Sequence, residues 1–114
     1  MGSIQEITVQ DFGAKVLQSA HPVLVDFYAS WCMPCRFLAP MLMDLAPRYA
    51  GRIDFYAVDI DESPELANRY DVRGVPTMLL FLGGNAVDRL TGVPQESTLK
   101  EKLDRLATLA PKSG

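Results

Sequence analysis

Cys32 and Cys35 are the chain's two cysteines, and Met33 and Pro34 separate them. Residues i and i+3 in a first helical turn lie about 5–6 Å apart. A disulfide needs a Cα separation of about 4.4–6.8 Å. The pair can therefore close and reopen a bridge without large backbone movement. It follows the apolar run Val23-Leu24-Val25-Asp26-Phe27-Tyr28 and precedes a long helical pattern, so it belongs where a buried strand hands over to a helix. A sulfur placed there meets unpaired backbone N–H groups and the positive end of the helix dipole. Both favour the thiolate, which is the nucleophile. Cys32, ahead of the helix, is expected to face solvent and attack. Cys35, in register with Leu38 and Leu42, is expected to be buried and to resolve the mixed disulfide. Two other readings of the pair are weaker. A closed zinc site takes four ligands, whereas the chain offers two thiols and His21, so no metal is expected. A purely structural disulfide closing so small a loop stabilises little.

Asp26 is the second residue with chemistry. A carboxylate between Val25 and Phe27 on a central strand is costly if ionised, and desolvation should raise its pKa. Perturbed buried carboxylates gather at functional sites. The alternative is a structural aspartate bonded to backbone or water.

The elements that must position these groups can be read in order. Ile4 to Ile7 reads as a short strand. Thr8 caps a helix over Val9 to Ser19, with Asp11 in the capping-box position and Val9, Phe12, Val16 and Ala20 at helical spacing. Val23 to Ala29 is near-continuously apolar, hence a strand buried on both faces with helices on either side. The next helix starts near Met33 or Pro34, since proline suits a first turn. Its inward stripe is Cys35, Leu38, Leu42, Leu45 and Tyr49. Pro40 deletes one of its hydrogen bonds, Pro47 loosens its last turn and Gly51 follows its end. Ile53 to Ile60 is a strand, and Asp61-Glu62-Ser63-Pro64 caps a short helix to about Tyr70. Arg73 to Thr77 forms a rigid corner. Met78–Leu82 and Ala86–Leu90 flank Gly83-Gly84-Asn85 as a hairpin. After Thr91-Gly92-Val93-Pro94 comes a last helix with the stripe Leu99, Leu103, Leu106 and Ala110, supported by the pairs Glu96–Lys100 and Glu101–Arg105. The order β-α-β-α-β-α-β-β-α predicts an α/β sheet with helices on both faces, strands joined by helices running parallel and the hairpin forming an antiparallel edge.

The 114 residues suffice for one domain over 1–114 with a core of about 4–109. Gly2-Ser3 and Ser113-Gly114 receive no role. A net charge of −3 without a basic cluster argues against nucleic acid and anionic membrane as partners. Met1 to Gln10 has no basic stretch followed by an apolar one, so no signal peptide is expected. No apolar run approaches the ~20 residues that span a bilayer. A close C-x-x-C in such a chain reads as redox or metal chemistry. The expected location is cytoplasmic and the expected state a monomer.

These features together resemble the thioredoxin family: Trp31-Cys32-Met33-Pro34-Cys35 after a strand, Asp26 inside that strand, and Val75-Pro76-Thr77 before a hairpin. Gly84 and Gly92 also match family glycines. The resemblance covers about Ile4 to Leu109. It implies the thioredoxin fold, a five-stranded mixed β-sheet with four helices. It implies reduction of protein disulfides through a mixed disulfide, with disulfide-bonded proteins as clients and re-reduction by a flavoprotein thioredoxin reductase. The redox-active disulfide Cys32–Cys35 serves without a cofactor. Cys32 is then the nucleophile, Cys35 the resolving thiol and Asp26 its proton acceptor. Trp31 covers the site, and Pro76 is cis and packs against the disulfide. Val75 offers backbone hydrogen bonds to an extended client segment, in a groove kept shallow by Gly74 and Gly92. Met33 and Pro34 sit at the docking surface. Taken singly, Trp31 reads as packing, Pro76 as a trans turn proline and the glycines as turn or bulge residues.

Three positions depart from the family pattern. Met33 stands where glycine is usual; it is bulkier and brings no charge. Ala57 stands where many bacterial members have a lysine near the buried aspartate, so Asp26 should be harder to ionise and resolution slower at neutral pH. Arg36 replaces a frequent lysine and keeps the charge. Two alternatives remain beside the reductase: a disulfide oxidase or isomerase on the same fold, and a non-catalytic binding module. The absence of a histidine between the cysteines argues against the first, and the joint presence of Cys32, Cys35, Asp26 and Pro76 against the second. Redox-buffer titration of the Cys32/Cys35 pair should give a strongly reducing potential, because Met33 cannot stabilise the thiolate electrostatically. A potential in the range of oxidising folding catalysts would move the function to disulfide formation.

Overall fold

A computed structural model describes residues 4–110 of the chain; the first three and last four residues, including Gly2-Ser3 and Ser113-Gly114, lie outside the described residues. Five strands form one mixed sheet, β1 (Gln5–Glu6), β2 (Val23–Tyr28), β3 (Asp54–Asp59), β4 (Thr77–Leu82) and β5 (Asn85–Thr91), in the spatial order β1-β3-β2-β4-β5. Four helices flank it: α1 (Val9–Phe12), α2 (Met33–Leu45), α3 (Pro64–Arg69) and α4 (Glu96–Leu109).

The apolar run of β2 predicted burial on both faces, and Val23 to Phe27 are all buried. Alternation then sorts the side chains. Leu24 packs with Leu38, Leu42 and Leu45 of α2 and Leu99, Leu103 and Leu106 of α4. Val23, Val25 and Phe27 pack on the other face with Phe12, Val16 and Leu66. Asp26 shares the parity of Leu24, so its carboxyl points to the α2 face. Its sheet neighbours are Ala57 on β3 and Met78 on β4, both buried.

Several expectations are corrected. Strands joined by helices run parallel for β1, β2 and β3, but β4, joined to β3 through α3, pairs antiparallel with β2. Helix α3 has six residues and rises only about 9 Å, while a six-residue strand spans about 20 Å. The connection does not carry the chain back along the sheet: β4 starts beside Phe27, at the end where β3 stops. The first helix has one α turn and then widens into π geometry over Gly13–Leu17, and Ala20 lies beyond it, exposed. Ser63 precedes α3, but its hydroxyl makes no capping bond. Asn85 belongs to β5, which leaves Gly83 and Gly84 as a two-residue turn. On α4 the expected pairs do not form: Lys100 pairs with Asp104, and Lys102 reaches Asp88 on β5. Ala110 ends that helix in an extended conformation. Pro47 does not loosen the last turn as expected: after Leu45 the chain tightens into a 3-10 turn over Ala46–Tyr49.

The hairpin turn also packs against the end of the π segment that follows α1. Gly83 and Gly84 have φ of 60° and 82°, a region that glycine enters without steric cost. A Cβ on Gly84 would stand 2.7 Å from the Leu17 carbonyl oxygen. Gly84→Ala therefore combines backbone strain with a backbone clash and should cost about 2 kcal/mol or more, read as a lower urea midpoint. Gly83→Ala, with nothing within 4 Å, should cost less; equal losses would remove the clash from the explanation.

Candidate active site

Strand β2 ends at Tyr28, and α2 begins five residues later. Between them the Cys32 N–H donates to the Ala29 carbonyl at 3.2 Å, a turn that brings Cys32 to the N-cap of α2. Its backbone is extended there, and its Sγ accepts the Cys35 N–H at 3.2 Å. The sulfur thus does what a serine or aspartate oxygen does at other helix starts. Pro34 lies in the first turn, where a missing N–H costs no hydrogen bond. Cys32 and Cys35 are joined as a disulfide with Cα atoms 5.3 Å apart.

The expected exposure of Cys32 is corrected: it is 3% exposed and Cys35 5%. Ala29, Ile60 and Val75 pack around the pair. Accessibility therefore does not separate the roles in the oxidised state. Position does: Cys32 caps the helix from outside its first turn, and Cys35 stands inside it.

Asp26 lies beneath. It is 2% exposed, and its Oδ1 has no hydrogen-bond partner among the described residues. Burial raises its pKa from 3.8 to about 7. The neighbouring Ala57 offers no cation, so desolvation acts unopposed. A cavity of about 180 Å³ connects the two groups, lined by Asp26, Cys35, Ala29, Ser30, Arg36 and Ala39. At its rim the Arg36 guanidinium donates to the Ser30 carbonyl at 3.1 Å.

Around the disulfide, Trp31 is 67% exposed, and its indole N–H donates to Asp61 at 3.0 Å. Asp61 was legible only as part of a helix cap; its tie to Trp31 depends on β3 lying beside β2. Met33 and Pro34 are exposed on the first turn of α2. The corner before β4 supplies the other wall. The Val75–Pro76 peptide is cis and Pro76 is buried. The Thr77 hydroxyl donates to the Gly74 carbonyl at 2.7 Å, and the Gly92 N–H to the Pro76 carbonyl at 2.9 Å. Gly92 has φ of 78°. Val75 makes no backbone hydrogen bond among the described residues, so its N–H and C=O are available to an added strand. Gly74 and Gly92 have open space where a Cβ would stand. His21 is held by Asp54 at the start of β2 and β3, the opposite end of the sheet from the cysteines, and cannot join them around one ion.

The arrangement suits reversible dithiol–disulfide exchange. A thiolate can form at a helix N-terminus, a second thiol lies one turn away, and a carboxyl with a pKa near neutrality shares its cavity.

The Thioredoxin family model matches residues 3–105. Thioredoxin 1 of Nostoc sp. is 40% identical over 105 residues, which cover 92% of this chain and 98% of the relative. Thioredoxin of Chlorobaculum thiosulfatiphilum is 39% identical over 103 residues, 90% of this chain and 95% of the relative. The chloroplastic Thioredoxin M4 of Arabidopsis thaliana is 41% identical over 102 residues, 90% of this chain and 53% of the relative.

The raised Asp26 pKa has a consequence for stability. Below pH 3.8 the group is protonated whether the chain is folded or unfolded. Between 3.8 and about 7 the unfolded chain ionises and the folded one does not, so stability falls as pH rises through that window. Above it the buried charge costs on the order of 4 kcal/mol. Asp26→Asn should therefore gain stability over wild type by about that much between pH 4 and pH 8 in urea unfolding. Parallel pH curves for the two proteins would show that Asp26 carries no such penalty.

Proposed function

The chain belongs to the thioredoxin family and is a thiol–disulfide oxidoreductase that reduces protein disulfides; on that premise we propose the following roles for its residues. The observation that carries them is the Cys32 sulfur seated as N-cap of α2, hydrogen-bonded to the Cys35 N–H. In the reduced form that site favours the Cys32 thiolate. The thiolate attacks one sulfur of a client disulfide; a Cys32–client bond forms, the client bond breaks, and the other client sulfur leaves as a thiolate. Cys35 then gives its proton to Asp26 and attacks the Cys32 sulfur. The Cys32–Cys35 bond forms, the mixed disulfide breaks, and the second client sulfur leaves. Two electrons have passed to the client, and the site is left as the disulfide seen in the structure.

Asp26 accepts that proton because its pKa of about 7 makes it a usable base near neutral pH. Without a lysine at position 57, ionisation falls to the cavity alone, which slows resolution below neutrality. Val75 pairs with an extended client segment through its free backbone groups, Trp31 and Pro76 wall the sulfur, and Gly74 and Gly92 leave the groove open. Met33 and Pro34 meet the client from the helix side. A flavoprotein reductase returns two electrons to the disulfide, so the protein needs no cofactor of its own. One domain acting as a monomer suffices for this cycle. It fits a compartment that keeps thiols reduced, such as the cytoplasm; none of the described helices is long and apolar enough to cross a membrane.

Substitution separates the two sulfurs. Cys32→Ser should reduce insulin at the background rate and form no adduct. Cys35→Ser should still attack and accumulate a client mixed disulfide, detected as a mass increase that dithiothreitol removes. An adduct on Cys35 in the Cys32→Ser protein, with none in Cys35→Ser, would reverse the assignment.

A further inference from the structure

Among the described residues, the three most exposed large hydrophobic side chains are Phe37 at 69%, Trp31 at 67% and Met33 at 58%. They fall within seven consecutive positions around the disulfide. Isolated exposed apolar residues are ordinary, whereas a contiguous group marks a contact surface. Phe37 is not part of the Cys35–Leu38–Leu42 stripe that faces the core. Its neighbours on the helix surface stand three and four residues away: Met33, Pro34, Pro40 and Met41. All four are apolar, the first three are exposed and Met41 is half-buried. Helix α2 thus carries an apolar face that begins beside Cys32 and continues for two turns, with Phe37 at its centre.

From this continuity we propose that Phe37 is a specificity-determining docking residue, and that the face around it receives an apolar or aromatic side chain of a client protein next to the disulfide being reduced. The proposal rests on the client-docking role given above to Met33 and Pro34. The occupant is a disulfide-bonded polypeptide, because the face starts at Met33, next to Cys32, so a client whose disulfide meets that sulfur lies against the same end of α2. A small disulfide reaches that sulfur without extending to Phe37, so the residue discriminates between the two kinds of substrate. Burying a phenyl ring in a client contact is worth enough to change recognition by about tenfold.

The test compares insulin with hydroxyethyl disulfide. The kcat/KM ratio of insulin to the small disulfide should fall about tenfold in Phe37→Ala, through KM rather than kcat. Phe37→Leu should restore most of it. Alanine favours helix at an exposed position, so the variant should fold, as circular dichroism can check. Val87→Ala, which removes an exposed apolar group on β5, should keep the wild-type ratio. An unchanged ratio in Phe37→Ala, or an equal fall in Val87→Ala, overturns the docking face while leaving the reductase reading intact. A concentration-dependent dimer in sedimentation that Phe37→Ala abolishes would assign the face to a second copy of the chain and overturn the proposal. Failure of the wild type to turn over insulin would overturn the parent reading and this one together.

Discussion

A helix that begins at the end of a buried strand leaves its first N–H groups without backbone partners. Here one of them, on Cys35, is taken by the Cys32 sulfur. That contact makes the same atom a structural cap and, in the proposed cycle, the attacking group. It also explains why so much of the fold is devoted to one corner. The handover from β2 to α2 has to be held in position from the sheet below, from α4 behind, and from the corner before β4 in front. The apolar stripe of α2, Leu38, Leu42 and Leu45, continued by Tyr49 in the 3-10 turn, anchors the helix against the core. A helix start free to fray would lose both the sulfur's hydrogen bond and the dipole that favours the thiolate.

The same face of β2 carries a conflict. Leu24 and Asp26 share it, and one packs the core while the other stands unpaired in it. Replacing Asp26 by an apolar residue would relieve the burial of a polar group, so the carboxyl is not there for stability. Burial raises its pKa toward neutrality, which is what the proton-accepting role proposed for it requires. It shares a cavity with Cys35, so the proposed transfer has a short path. Ala57 adds no cation beside it on the sheet, and desolvation is the controlling force.

On the outside the chain shows the opposite economy. Its polar surface is interrupted where Trp31, Met33 and Phe37 are left uncovered. These side chains contribute nothing to the core, and their exposure is concentrated about the reacting sulfur. The groove side of the site, at Val75, Gly74 and Gly92, offers backbone and open space instead. A partner would thus meet hydrogen-bonding backbone on one side of the disulfide and apolar side chains on the other.

Local pattern determined much of this protein. The two-residue spacing of Cys32 and Cys35, the apolar run of β2, the stripe of α2 and the proline in its first turn each depend on neighbours within a few residues. Those interactions are governed by backbone geometry and periodicity, so the element order, the redox pair and the buried aspartate were legible from the chain alone. What depends on distant segments was not. The direction of β4 depends on its pairing with β2 from the end where β3 stops, which is a matter of contacts in space. The burial of Cys32 arises from Ile60 and Val75 closing over it, and the partner of Trp31 is an aspartate on the loop after β3. The exposure of Phe37 depends on α2 turning its other face to the sheet with none of the described residues covering it. In each case the deciding contact joins residues that only the folded sheet brings together.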